Sequence, residues 1–326
     1  MADIEIREEP IKCDVVKKFC SQVHHMKDIG LSRVQPFNQI FGSGRITDFY
    51  KGIQDFEVYE DDVWITGFPK SGMRWLMEIV WLIKNDVDIE KAKTVSMSER
   101  IPFMDFDLVF PLSPDPKNPF SQKASKAERP RIIKAHLAYQ MLPKQIEAKK
   151  PKIIHIIRNP RDTCISFKNH FQSFENYQGD QETITEMFLN DRGPYYAPYF
   201  SNVMGYWERR NDPNVLIIFY EDMKKDLRSA VRKMADFMEV DFKEENMEKL
   251  CEHVQLKNMQ KNPSVNMDKI VEMMCQIQKN DNPGQVIHKG QTGRWKDIFD
   301  EATIERFKEW ETKNTKDTGL EFIYES

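Results

Sequence analysis

The chain carries five cysteines, Cys13, Cys20, Cys164, Cys251 and Cys275, and no two of them form a C-x-x-C pair. An odd, scattered set excludes a disulfide framework and a zinc site, and it fits a reducing cytoplasm. Long apolar runs are also missing. The strongest, Ile79 to Ile83, is far shorter than the ~20 residues a membrane span needs, and no apolar stretch follows Met1, so no membrane partner is expected. Neither charge dominates: 48 basic against 52 acidic residues leave a net of -4, which excludes gripping nucleic acid by bulk electrostatics. There is no internal repeat and no low-complexity tract.

What is present is 40% hydrophobic residues over 326 positions, enough for one sizeable core, so residues 1–326 are read as a single domain. Short apolar runs alternate with longer helical patterns. Val63 to Thr66, Arg131 to Lys134, Ile153 to Ile157 and Val215 to Phe219 are apolar without strict alternation, as parallel strands covered on both faces are. Helical patterns fill 73–85, 160–172 and 226–239. The predicted fold is α/β, a central parallel sheet flanked by helices, with ligands at the carboxyl ends of the strands. Pro102 to Pro119 and about 257–287 read as long surface loops.

Where the first of these strands meets a helix stands Pro69-Lys70-Ser71-Gly72-Met73-Arg74-Trp75. A helix start offers unpaired N–H groups and a partial positive charge, Lys70 adds a full one, and Gly72 admits close backbone approach. The turn is P-loop-like but not a P-loop. G-x-x-x-x-G-K-[ST] would run from Gly67 to Gly72 and then require Lys and Ser/Thr where Met73 and Arg74 stand. The reading is an anion cradle that needs no metal. Taken alone, the turn is equally a loop with a solvated lysine.

Three further strand ends carry the same chemistry. Lys134-Ala135-His136-Leu137 follows the second strand, Arg158-Asn159-Pro160-Arg161-Asp162 with Ser166 follows the third, and Tyr220-Glu221-Asp222-Met223-Lys224 follows the fourth. Each is ordinary loop chemistry by itself; four successive coincidences point to one phosphate-binding site. His155, midway in an apolar strand, reads as structural.

These segments resemble five ordered motifs of the cytosolic sulfotransferase family, with His288-Lys289-Gly290-Gln291-Thr292-Gly293-Arg294-Trp295-Lys296 as the fifth, and the stretch from Trp64 to Phe106 looks similar to arthropod members. The resemblance implies transfer of a sulfuryl group from 3′-phosphoadenosine 5′-phosphosulfate (PAPS) to a hydroxyl or amine of a small apolar acceptor, with adenosine 3′,5′-bisphosphate (PAP) as product. It implies that Lys70, Ser71, Gly72, Met73, Arg74 and Trp75 hold the 5′-phosphosulfate and adenine. Arg158, Ser166, His288, Lys289 and Gly290 would grip the 3′-phosphate, and Tyr220, Val254, Leu256 and Met259 would line the base. His136 is the implied general base, Lys134 and Lys70 stabilise developing charge, and Ser166 assists. Phe103 and Phe106 would wall the acceptor, with Phe110, Tyr195, Tyr196, Tyr199 and Phe200 as further aromatic surface.

The chain departs from the family pattern at several positions. Met73 and Arg74 replace two threonines, His288 stands in place of an arginine, and Val254 and Leu256 in place of Thr and Phe. The family dimer motif meets Lys296, Asp300, Glu301 and Glu305, with acids at its apolar centre, which argues against dimerisation by that route. Two other readings remain open: a silent binder of a small apolar ligand, which has no use for Lys70, His136, Arg158 and Ser166, and a nucleotide kinase or NTPase, which needs Mg²⁺.

Overall fold

The computed structural model describes residues 5–23, 26–27, 29–44, 46–109, 121–278, 286–287 and 289–324. His288 and Phe110 lie outside them, as does most of the Pro102–Pro119 stretch.

Two sheets organise the chain. Strands β1 (Arg7–Pro10), β2 (Leu31–Gln35) and β3 (Gln39–Gly42) form an antiparallel sheet with Arg7 opposite Gln35 and Leu31 opposite Gly42. Sequence reasoning misses this sheet, because its strands are four or five residues long and interrupted by Ser, Arg and Gln. The central sheet contains β4 (Val63–Gly67), β5 (Ile132–Ala135), β6 (Lys152–Ile157) and β7 (Val215–Phe219), all parallel, in the order β5-β4-β6-β7. The second strand begins one residue later than expected. Arg131, just before it, is buried and locked to Asp62 by Nε to Oδ1 at 2.8 Å and Nη2 to Oδ2 at 2.6 Å.

Successive residues of each strand face opposite cores. Val63, Ile65, Ile154, Ile156 and Ile218 pack under helices α1 (Met73–Lys84) and, further on, Leu227–Phe237. Trp64, Ile133, Ile153 and Ile157 face the opposite way, toward α2 (Pro160–Glu175), the helix Tyr199–Trp207 and the antiparallel sheet. His155 belongs to this second face, fully buried and stacked 3.9 Å from Tyr206, with Nδ1 3.0 Å from Thr66 Oγ1, a structural role as expected. The chain doubles back between β4 and β6, so the carboxyl ends of all four strands open onto one crevice.

The expected loop over 257–287 is largely helical: α3 (Leu256–Lys261), α4 (Pro263–Asn266) and α5 (Asp268–Gln278). Asn262, Pro263 and Asp268 look like loop punctuation but act as helix-start chemistry, with the Asn262 side chain accepting from the Ser264 amide at 3.0 Å and Pro263 opening its helix. Val271 and Cys275 of α5 bury against Phe174 of α2. The last helix, α6 (Glu301–Thr315), is tied to α2 by Arg161 and Glu311, whose Nη2 and Oε2 lie 2.6 Å apart.

Candidate active site

The crevice deepens into a cavity of about 910 Å³. Its wall contains every expected site residue among those described except Ser71, which lies fully buried, and the aromatic pair Tyr199 and Phe200. Lys70 (φ +73°) and Gly72 (φ +98°) both adopt left-handed backbone. Gly72 has a second constraint, because a Cβ there would lie 2.4 Å from the Tyr220 ring. The Ser71 amide is spent on Phe68 O at 3.3 Å and that of Trp75 on Gly72 O at 3.0 Å. The expected run of N–H donors over 71–75 therefore narrows to Gly72, Met73 and Arg74 at the start of α1.

One end of the cavity is built from three strand ends. Arg158 lies 4.6 Å over the Tyr220 ring, and its Nη1 and Nη2 donate to Lys70 O (3.2 Å) and Gln291 O (2.9 Å), while its buried Nε has no partner. Asp162 accepts from the Gly293 amide at 2.7 Å, which draws Lys289 and Gly290 to the start of α2 beside Ser166. Tyr220 Oη donates to Gly290 O at 3.1 Å. Trp75 meets Tyr220 edge-on at 5.8 Å and donates its indole N–H to Val254 O at 3.0 Å. Leu256 packs over Gly290, and Met259 is buried behind it. These contacts give a slot with an aromatic wall and cations at both ends.

Just beyond the end of β5, His136 Nδ1 lies 2.6 Å from the carbonyl oxygen of Gly67, and its backbone amide donates to both oxygens of Asp105 at 3.2 Å. A carbonyl only accepts, so the imidazole proton sits on Nδ1 and Nε2 keeps its lone pair. Burial and the Lys134 charge hold the His136 pKa well below the ordinary value. Lys134 places Nζ 3.6 Å from the Phe103 ring centre, and Phe103 in turn meets Phe106 at 5.7 Å and His136 at 5.3 Å, both edge-on. Burial, together with neighbouring cations, pushes Lys70 and Lys134 down to about 7. Such lysines are poised to take up a proton when an anion arrives.

Arg74, expected beside the phosphates, turns its guanidinium to the opposite wall instead. Nη1 donates to Val265 O at 2.8 Å and Nη2 to the Met267 sulfur. Two groups escape sequence reasoning. Asp105 gives no motif signal, and His170 lies three turns into α2, far from the motif at its start. Its signal is spacing, since Asp162, Ser166, His170 and Phe174 recur every four residues and all line the cavity. Tyr195 and Tyr196 also line it, whereas Tyr199 and Phe200 belong to the core. Among the described residues no cluster of His, Cys, Asp and Glu could hold a metal ion.

Residues 60–319 match the family model for the Sulfotransferase domain. Luciferin sulfotransferase of Photinus pyralis is 32% identical over 289 residues, covering 85% of this chain and 77% of that protein. Sulfotransferase 1E1 of Rattus norvegicus is 31% identical over 291 residues, covering 88% and 94%. A crystal structure of retinol dehydratase in complex with androsterone and inactive cofactor PAP superposes with a TM-score of 0.86 at 25% identity, covering 98% of each chain. Mouse sulfotransferase SULT7A1 complexed with PAP gives 0.66 at 26% identity, covering 86% of this chain and 92% of that one.

Proposed function

We propose a specific reaction for this chain, which belongs to the sulfotransferase family and is a PAPS-dependent sulfotransferase acting on small acceptors: the acceptor is a flat apolar alcohol or phenol, and His136 is the general base. The observation that carries this reading is the 2.6 Å bond from His136 Nδ1 to Gly67 O, which leaves Nε2 as a lone pair in the cavity beside Lys134 and opposite Lys70. Nε2 takes the proton of the acceptor hydroxyl as its oxygen bonds to sulfur in line with the breaking bond to the phosphate oxygen. Lys70 and Lys134 stabilise charge on the sulfuryl oxygens and on the leaving phosphate, a preorganised electrostatic contribution that is usually the largest. Arg158, Ser166, Lys289 and Gly290 grip the 3′-phosphate, and Trp75, Tyr220, Val254, Leu256 and Met259 hold the adenine. The unpartnered Arg158 Nε and the amides of Gly72, Met73 and Arg74 at the start of α1 fit a phosphate.

Phe103 and Phe106 wall the acceptor end. The retinol and androsterone named for the retinol dehydratase complexes, both large apolar alcohols, support that acceptor class for a cavity of about 910 Å³. The five free cysteines support a cytoplasmic enzyme, and the acids at Asp300, Glu301 and Glu305 argue against the family dimer contact. Calorimetric titration with PAP in EDTA, with ADP as control, tests the reading. Micromolar binding of PAP alone, followed by sulfation of a phenol or sterol that His136→Ala abolishes, is the expected result. Binding of apolar ligands without PAP binding would return the chain to a silent carrier, and Mg²⁺-dependent binding of ADP to a nucleotide-hydrolysing one.

A further inference from the structure

The acceptor end of the cavity holds a second imidazole besides His136. His170 lies one turn beyond Ser166 on α2, about 6 Å along the helix axis, and on the same face. Its ring is held by Phe171 at 5.7 Å and Phe174 at 4.8 Å. Its Nδ1 is sealed from solvent and has no hydrogen-bond partner, so the part of the ring that lines the cavity is the opposite edge, which carries Nε2. Burial and the charges of Lys70, Lys134 and Arg74 all disfavour a protonated ring there, and His170 is near enough to His136 that a charge on it would disfavour one on His136. A neutral imidazole carries one proton. A buried orphan N–H is rarer than an under-satisfied acceptor, so the proton belongs on Nε2, facing the cavity. His136 thus offers the chamber an acceptor and His170 a donor, in walls to which Phe103, Phe106, Met97 and Ile165 add apolar surface and Tyr195 and Tyr196 mixed surface.

We propose that His170 is a specificity-determining residue whose Nε2–H donates a hydrogen bond to a second oxygen of the acceptor, selecting apolar compounds in which another hydroxyl or a carbonyl lies next to the hydroxyl that is sulfated. The inference rests on the reaction proposed above. Vicinal aromatic diols and ortho-hydroxycarbonyl compounds are the class that satisfies both imidazoles, whereas a simple phenol leaves Nε2–H bare in a chamber where an unpaired donor is costly.

The test is calorimetric binding of naphthalene-2,3-diol and 2-naphthol to the PAP-loaded protein, in the natural chain and in His170→Phe and His170→Gln. The diol should bind about tenfold more tightly than the mono-ol in the natural chain, the size of one neutral hydrogen bond. That preference should vanish in His170→Phe and persist in His170→Gln, which keeps an N–H donor at similar reach. PAP titration and a melting scan show that each variant is folded. Equal binding of the two ligands by the natural chain, or an unchanged preference in His170→Phe, overturns the proposal. Product analysis with PAPS separates the two claims, because a diol preference without a sulfated product would sink the reaction and leave the role of His170 standing.

Discussion

The Nδ1 of His136 and the carbonyl oxygen of Gly67, 2.6 Å apart, join the end of β5, which carries Lys134, to the end of β4, which leads into the turn of Lys70. The contact fixes one tautomer and one ring orientation, so the basic nitrogen is presented before any substrate arrives. His136→Ala and His136→Gln should therefore lower kcat by about 10²–10⁴-fold, the usual worth of a general base, while calorimetric affinity for PAP stays near that of the natural chain. A variant that keeps more than a tenth of kcat would remove His136 from the role.

Lys70 and Lys134, held near 7 without an anion, give the donor site its own pH dependence. A bound phosphosulfate favours the charged lysines and raises both values, so affinity is greatest below pH 7. It should fall as pH rises from 7 to 9, by up to about tenfold per unit for each lysine that takes up a proton. PAP titrations in buffers of different ionisation heat should show net proton uptake at pH 8. His288→Arg should remove any further weakening between pH 6 and 7, where an ordinary histidine loses its charge. Zero proton uptake at pH 8 would contradict the assignment of these lysines.

Gly72 combines a backbone at φ +98° with a Tyr220 ring 2.4 Å from where a side chain would begin. Gly72→Ala should cost about 1–3 kcal/mol from the backbone alone, and displacement of Tyr220 should weaken PAP binding by at least about tenfold, one lost contact of the slot. Thermal melts and titration report the two effects separately, and a variant with natural PAP affinity would show that Tyr220 does not shape the slot.

Glu78, on α1, lies fully buried, with Arg100 Nη2 at 2.8 Å from one oxygen and His253 Nε2 at 2.8 Å from the other. Removing the shared carboxylate strands the buried Arg100 charge, so Glu78→Leu should destabilise the fold by about 3–5 kcal/mol. Glu78→Leu combined with Arg100→Met should recover much of that loss. Urea unfolding of both variants decides it, and a single variant within 1 kcal/mol of the natural chain, roughly the worth of a surface pair, would mean that Arg100 finds other partners.

His155 is buried and neutral, its pKa pushed down to about 3 by burial, against ~6.5 in an unfolded chain. Between those values the unfolded chain binds the extra proton. Its contribution to stability is complete above about pH 6.5 and drains away toward pH 3, at up to ~1.4 kcal/mol per pH unit. His155→Phe should flatten the loss of stability between pH 6.5 and 4.5 by about one proton, measured by denaturant unfolding at each pH. An unchanged slope would place the acid sensitivity elsewhere.

The central sheet was legible in the sequence because doubly covered strands such as Ile153 to Ile157 are apolar runs ended by Gly, Pro or charge, and because four of them end in phosphate chemistry. The edge sheet was not legible, since Leu31 to Gln35 buries only part of a strand broken by polar residues. Residues 256–278 misled because Asn262-Pro263 is read as a break, and only tertiary contact shows it to be a cap. Within the site, Lys70, Arg158, Lys134 and His136 stand at strand ends, where topology alone brings them together. The direction of Arg74 and the place of His170 depend on what α3 to α5 and the face of α2 supply from far along the chain, which local spacing does not encode.

The face of α2 that carries Asp162, Ser166, His170 and Phe174 has a consequence for how this gene can change. Inserting or deleting one residue within the helix rotates everything beyond it by about 100° and slides it by about 1.5 Å. Such a change between Ser166 and His170 would leave Asp162 and Ser166 in register and swing His170 and Phe174 out of the cavity. Point substitution along this stretch can therefore reshape the cavity one side chain at a time, whereas gain or loss of a single codon there would part the two halves of this face in one step.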